Sequence, residues 1–496
     1  MLFFAFQEPS EKGNVIQNRK TKRRIVSQIL VFIKKYKQKC LQMKQNYSKI
    51  FVYLNSDLRN QKNKRRPMNG TKTIRRFARH HHFLLLAALP VYFIIVALFL
   101  QPWSEILPGL FRIFREPDIL ITDYFVVGGP GPALLNAGVL TLISIYIIHK
   151  QGMEMDGHTI TSSCLMFGFS LFGKNLLNIW TILLGVFIYA RYHKMPFSKY
   201  VYVGLYGTSL SPIITQIMYV SEWPYIVRLF LMLFIGIMIG FVLPPLATHA
   251  HFAHKGYSLY NVGFASGIIA TVVVSMLKSF GITTESRLLW AEGYNSLFLW
   301  ILGVLFVGMM ATSYYIGGKK VVESYKMILR STGIGGTDYM VDEGGCATVF
   351  NMGINGLFAT LFVVLVGGEL NGPTIGGIFT IVGFSATGKH IRNIAPIMFG
   401  VLLGSFTKEW TINSPSPMLA LLFSTTLAPV AGEFGAIAGI LAGYIHSSVA
   451  LNVGIVYGGM NLYNNGFAGG IVAMFMVPVI HSIMDRRARA KQDLSL

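Results

Sequence analysis

Hydrophobic positions along the chain run in long blocks, with neither a period of two nor a one-sided helical stripe. Apolar stretches fall near 83–102, 131–149, 157–173, 176–190, 199–219, 225–245, 258–279, 295–316, 347–366, 372–388, 393–407, 416–431, 433–453 and 461–482, about fourteen in all. Blocks of this length suit the roughly 30 Å hydrocarbon core of a bilayer. Backbone polar groups in lipid must be satisfied within their own segment, so the blocks predict helices and an all-α, polytopic membrane protein. Several blocks are short, notably the pairs on either side of Gly173-Lys174 and of Gly388-Lys389. These predict broken or re-entrant helices.

The pattern also repeats. Ala133 to Val186 align with Thr348 to Val401 at a constant offset of 215 without a gap, and about 18 of about 54 positions are identical. YGTSLSP from Tyr206 answers FSTTLAP from Phe423, and SLYNVGFASGIIA from Ser258 answers NLYNNGFAGGIVA from Asn461. The chain therefore divides into a basic tail (1–82), a first span and loop (83–130), repeat one (131–279), a linker span and loop (280–346), repeat two (347–482) and a basic tail (483–496). Duplicated membrane segments are the usual architecture of secondary transporters, with the substrate site between the copies.

Orientation follows from short basic loops, which stay in the cytoplasm. With the amino terminus inside, RYHKMPFSK, THAHFAHKG, GGKKVVESYKMILR and DRRARAK fall inside, whereas FREPDILITD and VSEWPY fall outside. Both termini are then cytoplasmic. An odd number of crossings separates the starts of the two copies, so they are expected to be two inverted six-segment repeats, related by a pseudo-two-fold axis in the membrane plane. The parity is the same whether each short pair crosses fully or forms a hairpin.

Candidate chemistry sits at matching places in the copies. The signature GFSxxGKxxxN occurs at Gly168–Asn178 and Gly383–Asn393. If its flanking segments cross fully, Lys174 and Lys389 lie at opposite faces and extend to the interface. If they are hairpins, both lysines approach the midplane and can neutralise an anionic solute. Asn178 and Asn393 share that signature, and Asn136 and Asn351 coincide inside NAG and NMG turns. Asn261, and Asn461 with Asn464 and Asn465, stand at the entrance to apolar spans, where an amide either caps a helix or faces a cavity. These asparagines are candidate solute contacts. Glu154 and Glu369 precede the short pairs and are expected either to be solvated loop charges or to form alternating gate salt bridges, Glu154 with Lys389 and Glu369 with Lys174. Gly236 with Gly240, and Gly439 with Gly443, have the spacing of close helix packing.

Composition narrows the function classes. Of 496 residues, 53% are hydrophobic and 13% charged, well below the charged fraction of soluble domains. The net charge of +22 is concentrated in residues 1 to 82, which hold 21 Lys or Arg against three acids. That tail reads either as a dispensable or mis-started extension, with Met68 an alternative start, or as a basic arm attracted to anionic lipid headgroups; nucleic-acid binding is disfavoured. Cys40, Cys164 and Cys346 lie in unrelated settings and imply no disulfide framework. His249, His251 and His254 resemble a metal cluster, but no carboxylate adjoins them and the second copy has Asn452, Gly454 and Tyr457 there, so a cytoplasmic loop is expected. HExxH, GxSxG, Walker A and dinucleotide motifs are absent from the sequence, so no cofactor is implied.

The run FGFSLFGKNLLNIW, with YNNGF near the carboxyl end, resembles a family of multipass bacterial membrane proteins known only as a domain of unknown function. That resemblance implies the bacterial inner membrane and lends no substrate. The aromatic-Asn turns before a Gly-rich span in a duplicated chain are also similar to urea transporters. The expected function is a secondary transporter or facilitative channel for a small solute, possible as an oligomer in the bilayer, rather than an enzyme. The alternatives are an intramembrane enzyme, which needs an acid–base pair in one copy only, and a non-transporting scaffold or sensor, which needs a dry seam between the copies.

Overall fold

The computed structural model describes residues 69–219, 223–281 and 287–493. The tail before Asn69, and with it the expected lipid contact and Cys40, lies outside the described residues, as do Ser221 and Glu222 of the VSEWPY loop. The fold set out here is that of Arg79–Leu496.

The protein is an all-α polytopic membrane protein. Its helices are α1 (Asn69–Leu100), α2 (Trp103–Arg115), α3 (Tyr124–Val127), α4 (Pro130–Lys150), α5 (Gly157–Phe169), α6 (Trp180–Tyr192), α7 (Val201–Gly207), α8 (Ser211–Tyr219), α9 (Tyr225–His254), α10 (Asn261–Ser279), α11 (Asn295–Gly317), α12 (Lys319–Ile328), α13 (Tyr339–Asp342), α14 (Gly345–Leu365), α15 (Gly372–Phe384), α16 (Ile391–Ser405), α17 (Pro415–Phe423), α18 (Ala428–Phe434), α19 (Ala436–Val453) and α20 (Asn464–Asp493). Two-residue strands β1 (Ile121–Thr122) and β2 (Leu288–Leu289) pair in parallel. Among the described residues nine helical stretches are long and apolar enough to cross a bilayer.

The remaining apolar blocks are shorter or broken. Residues 199–219 form α7 and α8 joined by a 3-10 turn at Thr208–Leu210, and 416–431 form α17 and α18 joined by one at Ser424–Leu427. α5 and α6 have 13 residues each, about 20 Å at 1.5 Å per residue, too short to cross alone. They form a hairpin: the Tyr202 hydroxyl, beyond α6, lies 2.7 Å from that of Thr159 in the first turn of α5. α15 and α16 do likewise, since a Cβ on Gly368, just before α15, would lie 2.4 Å from the Met418 side chain beyond α16. Each hairpin breaks where Gly173 and Gly388 take φ of +140° and +142°, backbone that glycine alone adopts without strain.

Two expectations change. THAHFAHKG is not a loop: α9 continues through it to His254 because Ala247, Ala250 and His254 face inward, while the exposed His249 and His251 point away from the core. The segment 318–346 is more than a linker. Asp338 caps α13 and Asp123 caps α3, 215 positions apart. A Cβ on Gly138 would press on Ile94 of α1, and one on Gly353 on Phe306 and Met310 of α11. Matching structure therefore begins at α1 and α11, well before the matching sequence.

Close packing through small residues follows the predicted spacing. A Cβ on Gly240 or Gly443 would lie 2.0 Å from the carbonyl oxygen of Ile182 or Ile397, respectively. These contacts clamp α9 to α6 and α19 to α16 and hold each hairpin against its own half.

Candidate functional site

α5 and α15 lie against each other along their full lengths and run antiparallel. Gly157, which opens α5, sits beside Ala386 and Thr387 after α15; Gly168 meets Gly376; and Gly372, which opens α15, sits beside Leu171 after α5. Each helix is capped by its own Asp156 or Asn371, and its first amide also meets an acid from the other half. Asp338 accepts hydrogen bonds from the Gly157 amide at 3.0 and 3.2 Å, and Asp123 accepts from the amides of Phe125, Ala291 and Gly372. The tips are tied down in the same way: the Tyr124 amide donates to Leu171 O at 3.1 Å and the Tyr339 amide to Ala386 O at 3.0 Å.

At each tip asparagines satisfy backbone groups that the break would leave unpaired: Asn178 and Asn393 of the signature, and Asn136 and Asn351, which lie within α4 and α14 rather than in turns. Asn136 Nδ2 donates to the carbonyls of Ser170 and Lys174 at 2.7 and 2.9 Å. Asn351 Nδ2 donates to those of Ser385 and Lys389, both at 2.8 Å. Asn178 Nδ2 donates to Gly173 O and Asn393 Nδ2 to Gly388 O, while their Oδ1 atoms accept from the amides of Asn175 and His390. Unpaired buried polar groups cost about 1–3 kcal/mol each, so these four side chains carry a structural duty.

Asn261 and Asn464 have a similar duty. Their Nδ2 atoms donate to Ala247 O and Ala450 O, tying α10 to α9 and α20 to α19. Asn261 Oδ1 faces His254 Nε2 at 3.2 Å, and Asn464 Oδ1 accepts from the Tyr457 hydroxyl. Capping is not their role, for both lie inside the helix, following Tyr260 and Tyr463.

The lysines differ. Lys174 and Lys389 are both 0% exposed, so neither extends to the interface, because the tips are roofed by the loops at 113–123 and 331–339. Lys389 Nζ donates to the Tyr260 hydroxyl at 2.5 Å and the Thr425 hydroxyl at 2.8 Å and stands over the Phe384 and Tyr260 rings. Lys174 Nζ lies 3.3 Å from Leu205 O and 3.7 Å from Met166 Sδ and stands over Phe169. Neither amine is ion-paired: the salt bridge among the described residues is Arg287–Glu116. The expected gate bridges are therefore not formed in this structure. Glu154 is exposed, and Glu369 accepts from the Gly293 amide at 3.1 Å.

Rings join the two lysine sites. Phe169 packs on Tyr463 at 4.5 Å, Tyr463 on Tyr260 at 5.5 Å and Tyr260 on Phe384 at 4.8 Å. Tyr260 and Tyr463 immediately precede α10 and α20, whose first turns cross through Gly263 and Gly466. The amino ends of two long helices thus meet between the lysines. From the Asp118 side a cavity of about 480 Å³ reaches α20, lined by Lys278, Arg287, Ser416, Leu419, Asn464 and Asn465 among others. By contrast, the α5–α15 seam is packed with the rings of Phe167, Phe379 and Phe93 in mutual contact.

Sequence reasoning missed Asp118, Tyr260, Thr425 and His446, whereas Asn465 was marked by its place at the entrance to an apolar span. Asp118 is buried, with Oδ1 accepting from the Tyr124 hydroxyl at 2.8 Å and Oδ2 from Asn178 Nδ2 at 3.1 Å. His446 is also buried, with Nε2 3.1 Å from Asn465 Oδ1. The tyrosine of each YN pair was visible in SLYNVGF and NLYNNGF; the contact of Tyr260 with a lysine 129 residues away was not.

The profile of a family described as a protein of unknown function, DUF1576, matches the chain twice, over residues 103–279 and 318–482. Each match spans one half, from α2 to α10 and from just before α12 into α20. No curated protein and no solved structure shows a significant match.

Proposed function

The chain belongs to the DUF1576 family, which assigns no substrate, and from the geometry at its centre we propose a secondary transporter or facilitative channel that moves a small solute between two inverted repeats. The antiparallel course of α5 and α15 supports inversion, since equivalent helices of parallel repeats would point the same way. Basic short loops support an arrangement with both termini cytoplasmic in a bacterial inner membrane, the Asp118 end outside and the Gly333 end inside.

One observation carries the reading: a buried amine, two hydroxyls and a ring from three separate segments converge where α10 and α20 begin. A stable scaffold gains little from burying a lysine amine without an acid partner there, because replacing buried ionisable groups by apolar packing is often neutral or stabilising. A transporter needs polar groups near the midplane, framed by broken helices. The ring-packed α5–α15 seam acts as the support against which the solute route along α10 and α20 is built.

Uptake by proteoliposomes across neutral and anionic solutes tests this. Lys389→Met is expected to lower uptake at least about 10-fold while leaving the melting temperature unchanged or raised. Lys174→Met, which removes no hydroxyl contact, is expected to act more weakly. Uptake equal in wild type and Lys389→Met, or absent for every solute, returns the protein to the scaffold class.

A further inference from the structure

We propose that the cavity at the start of α20 is the entry site for an organic monoanion, whose acid group is held at the α20 amino terminus and at Asn465; this rests on the transport reading above. The amino end of a helix carries a positive dipole and its unpaired N–H groups favour an anion; at α20 the Asn464, Gly466 and Phe467 amides are taken by Asn461 O and Tyr463 O, so among the described residues the Asn465 amide is the one left for a ligand. Three further features point the same way.

The first is Asn465. It lines the cavity and is 5% exposed. Its Oδ1 faces His446 Nε2, and its Nδ2 makes no hydrogen bond among the described residues, so a donor is left facing the cavity. Asn464 beside it is fully engaged by Ala450 and Tyr457. The second is charge. Lys278 and Arg287 line the cavity, no Asp or Glu is among its lining residues, and of the two only Arg287 is paired, with Glu116. A wall with no acid among its described residues and with the Lys278 ammonium unpaired by any of them concentrates anions. The third is shape. Ile119, Leu419 and Leu451 supply apolar wall, and about 480 Å³ exceeds what a bare inorganic ion fills, so the site suits an acid head on a short apolar body.

The His446–Asn465 pair is not a by-product of the duplication. At the offset of 203 that relates Gly443 to Gly240 and Asn464 to Asn261, the first half has Leu243 and Val262. A bond needed only to hold α19 against α20 would be expected in both halves, as the Asn261 and Asn464 bonds are.

Thermal unfolding of the full chain in phosphatidylcholine nanodiscs, titrated with hexanesulfonate, hexanamide or inorganic phosphate, tests the site. Hexanesulfonate is expected to raise the melting temperature saturably, with hexanamide and phosphate at least about 10-fold weaker. Asn465→Asp keeps the Oδ1 contact to His446 and the shape while placing negative charge in the cavity; it should weaken hexanesulfonate at least about 10-fold with the unliganded melting temperature little changed. Lys278→Glu should weaken it about threefold, an effect that added salt removes. Equal binding of hexanamide, or hexanesulfonate binding unaltered in both variants, overturns the proposal. Hexanesulfonate bound but not moved by proteoliposomes leaves the site standing and removes the transport reading; flux of a neutral solute without anion binding does the reverse.

Discussion

The two hairpin tips carry the same backbone scaffold and meet different loops. At the first, Asp118 enters the tip and gathers the Tyr124 hydroxyl, the Asn178 amide, the Thr215 hydroxyl on its own N–H and the Gln216 amide on its own carbonyl. At the second, 215 positions on, stands Gly333. A Cβ there would lie 2.1 Å from Gly388 O and 2.9 Å from Asn393 Nδ2, and φ is +72°. The chain itself fills the place of the acid. Beyond it, the Gly335 amide donates to Gly256 O at 3.0 Å, stitching the loop to the start of the α10 segment. The cavity lies at the other end, where Ile119, Leu120 and Gly459 line its wall. Duplication thus supplies one frame twice, and a few substitutions in the loops give one end a polar cavity and stitch the other to Gly256.

If the frame is shared, damage to it should cost the same in either half. Gly240→Leu and Gly443→Leu drive a side chain into a carbonyl 2.0 Å from the Cβ position. Overpacking usually costs about 1–3 kcal/mol, and more where backbone is the obstacle. Both variants should lose most folded, monodisperse protein on fluorescence-detected gel filtration. Normal recovery of one and loss of the other would show that the halves are not held by equivalent clamps.

The tips themselves should respond unequally. Asp118→Leu strips the carboxylate from a buried tyrosine hydroxyl and from Asn178, leaving two donors unsatisfied at about 1–3 kcal/mol each. No matching loss exists at Gly333, where the comparable experiment, Gly333→Ala, acts by steric clash instead. Urea or heat titration in detergent should find Asp118→Asn, which retains the size and one acceptor, well above Asp118→Leu in stability. Equal stability of the two would mean that the carboxyl group holds nothing.

A smaller difference separates Asn136 from Asn351. Both bridge two carbonyls of a tip, but Asn355 Nδ2 lies 2.7 Å from Ser385 Oγ and 3.3 Å from Lys389 O, a second donor that the first half lacks because Leu140 stands there. Asn136→Leu is therefore expected to cost about 2 kcal/mol and Asn351→Leu about half as much. The reverse order would assign Asn355 to some other duty.

Much of this was legible in the sequence. The blocks gave the spans, the 215 offset gave the tips, and the glycine spacing gave the clamps. Asp123-Tyr124 and Asp338-Tyr339 also share that offset, but they lie ahead of the apolar run from which the repeat was read, and so the true start of each half was passed over. What the sequence withheld is contact between distant segments. Nothing in a linear pattern places Tyr260 on Lys389 or a donor of Asn465 in a cavity, because each depends on how two helices cross. The asparagines illustrate the opposite limit: residue type and position marked them, yet a solute contact and a backbone bond demand the same side chain, and only geometry separates the two.

The smallest expected effect lies where the halves share a bond but not a partner. Asn464 Oδ1 takes the Tyr457 hydroxyl, whereas Asn261 Oδ1 faces His254 Nε2. Tyr457→Phe removes one donor from an oxygen beside the cavity, whose Nδ2 still holds Ala450, so stability should fall by about 1 kcal/mol. The freed Oδ1 would then present an acceptor toward the entry site and should weaken hexanesulfonate a fewfold. His254→Phe makes the same cut in the other half, away from that cavity, and should leave anion binding at the wild-type value. An equal loss in both variants would mean that the two crossings respond as one unit, and that the asymmetry between the ends does not decide where the anion sits.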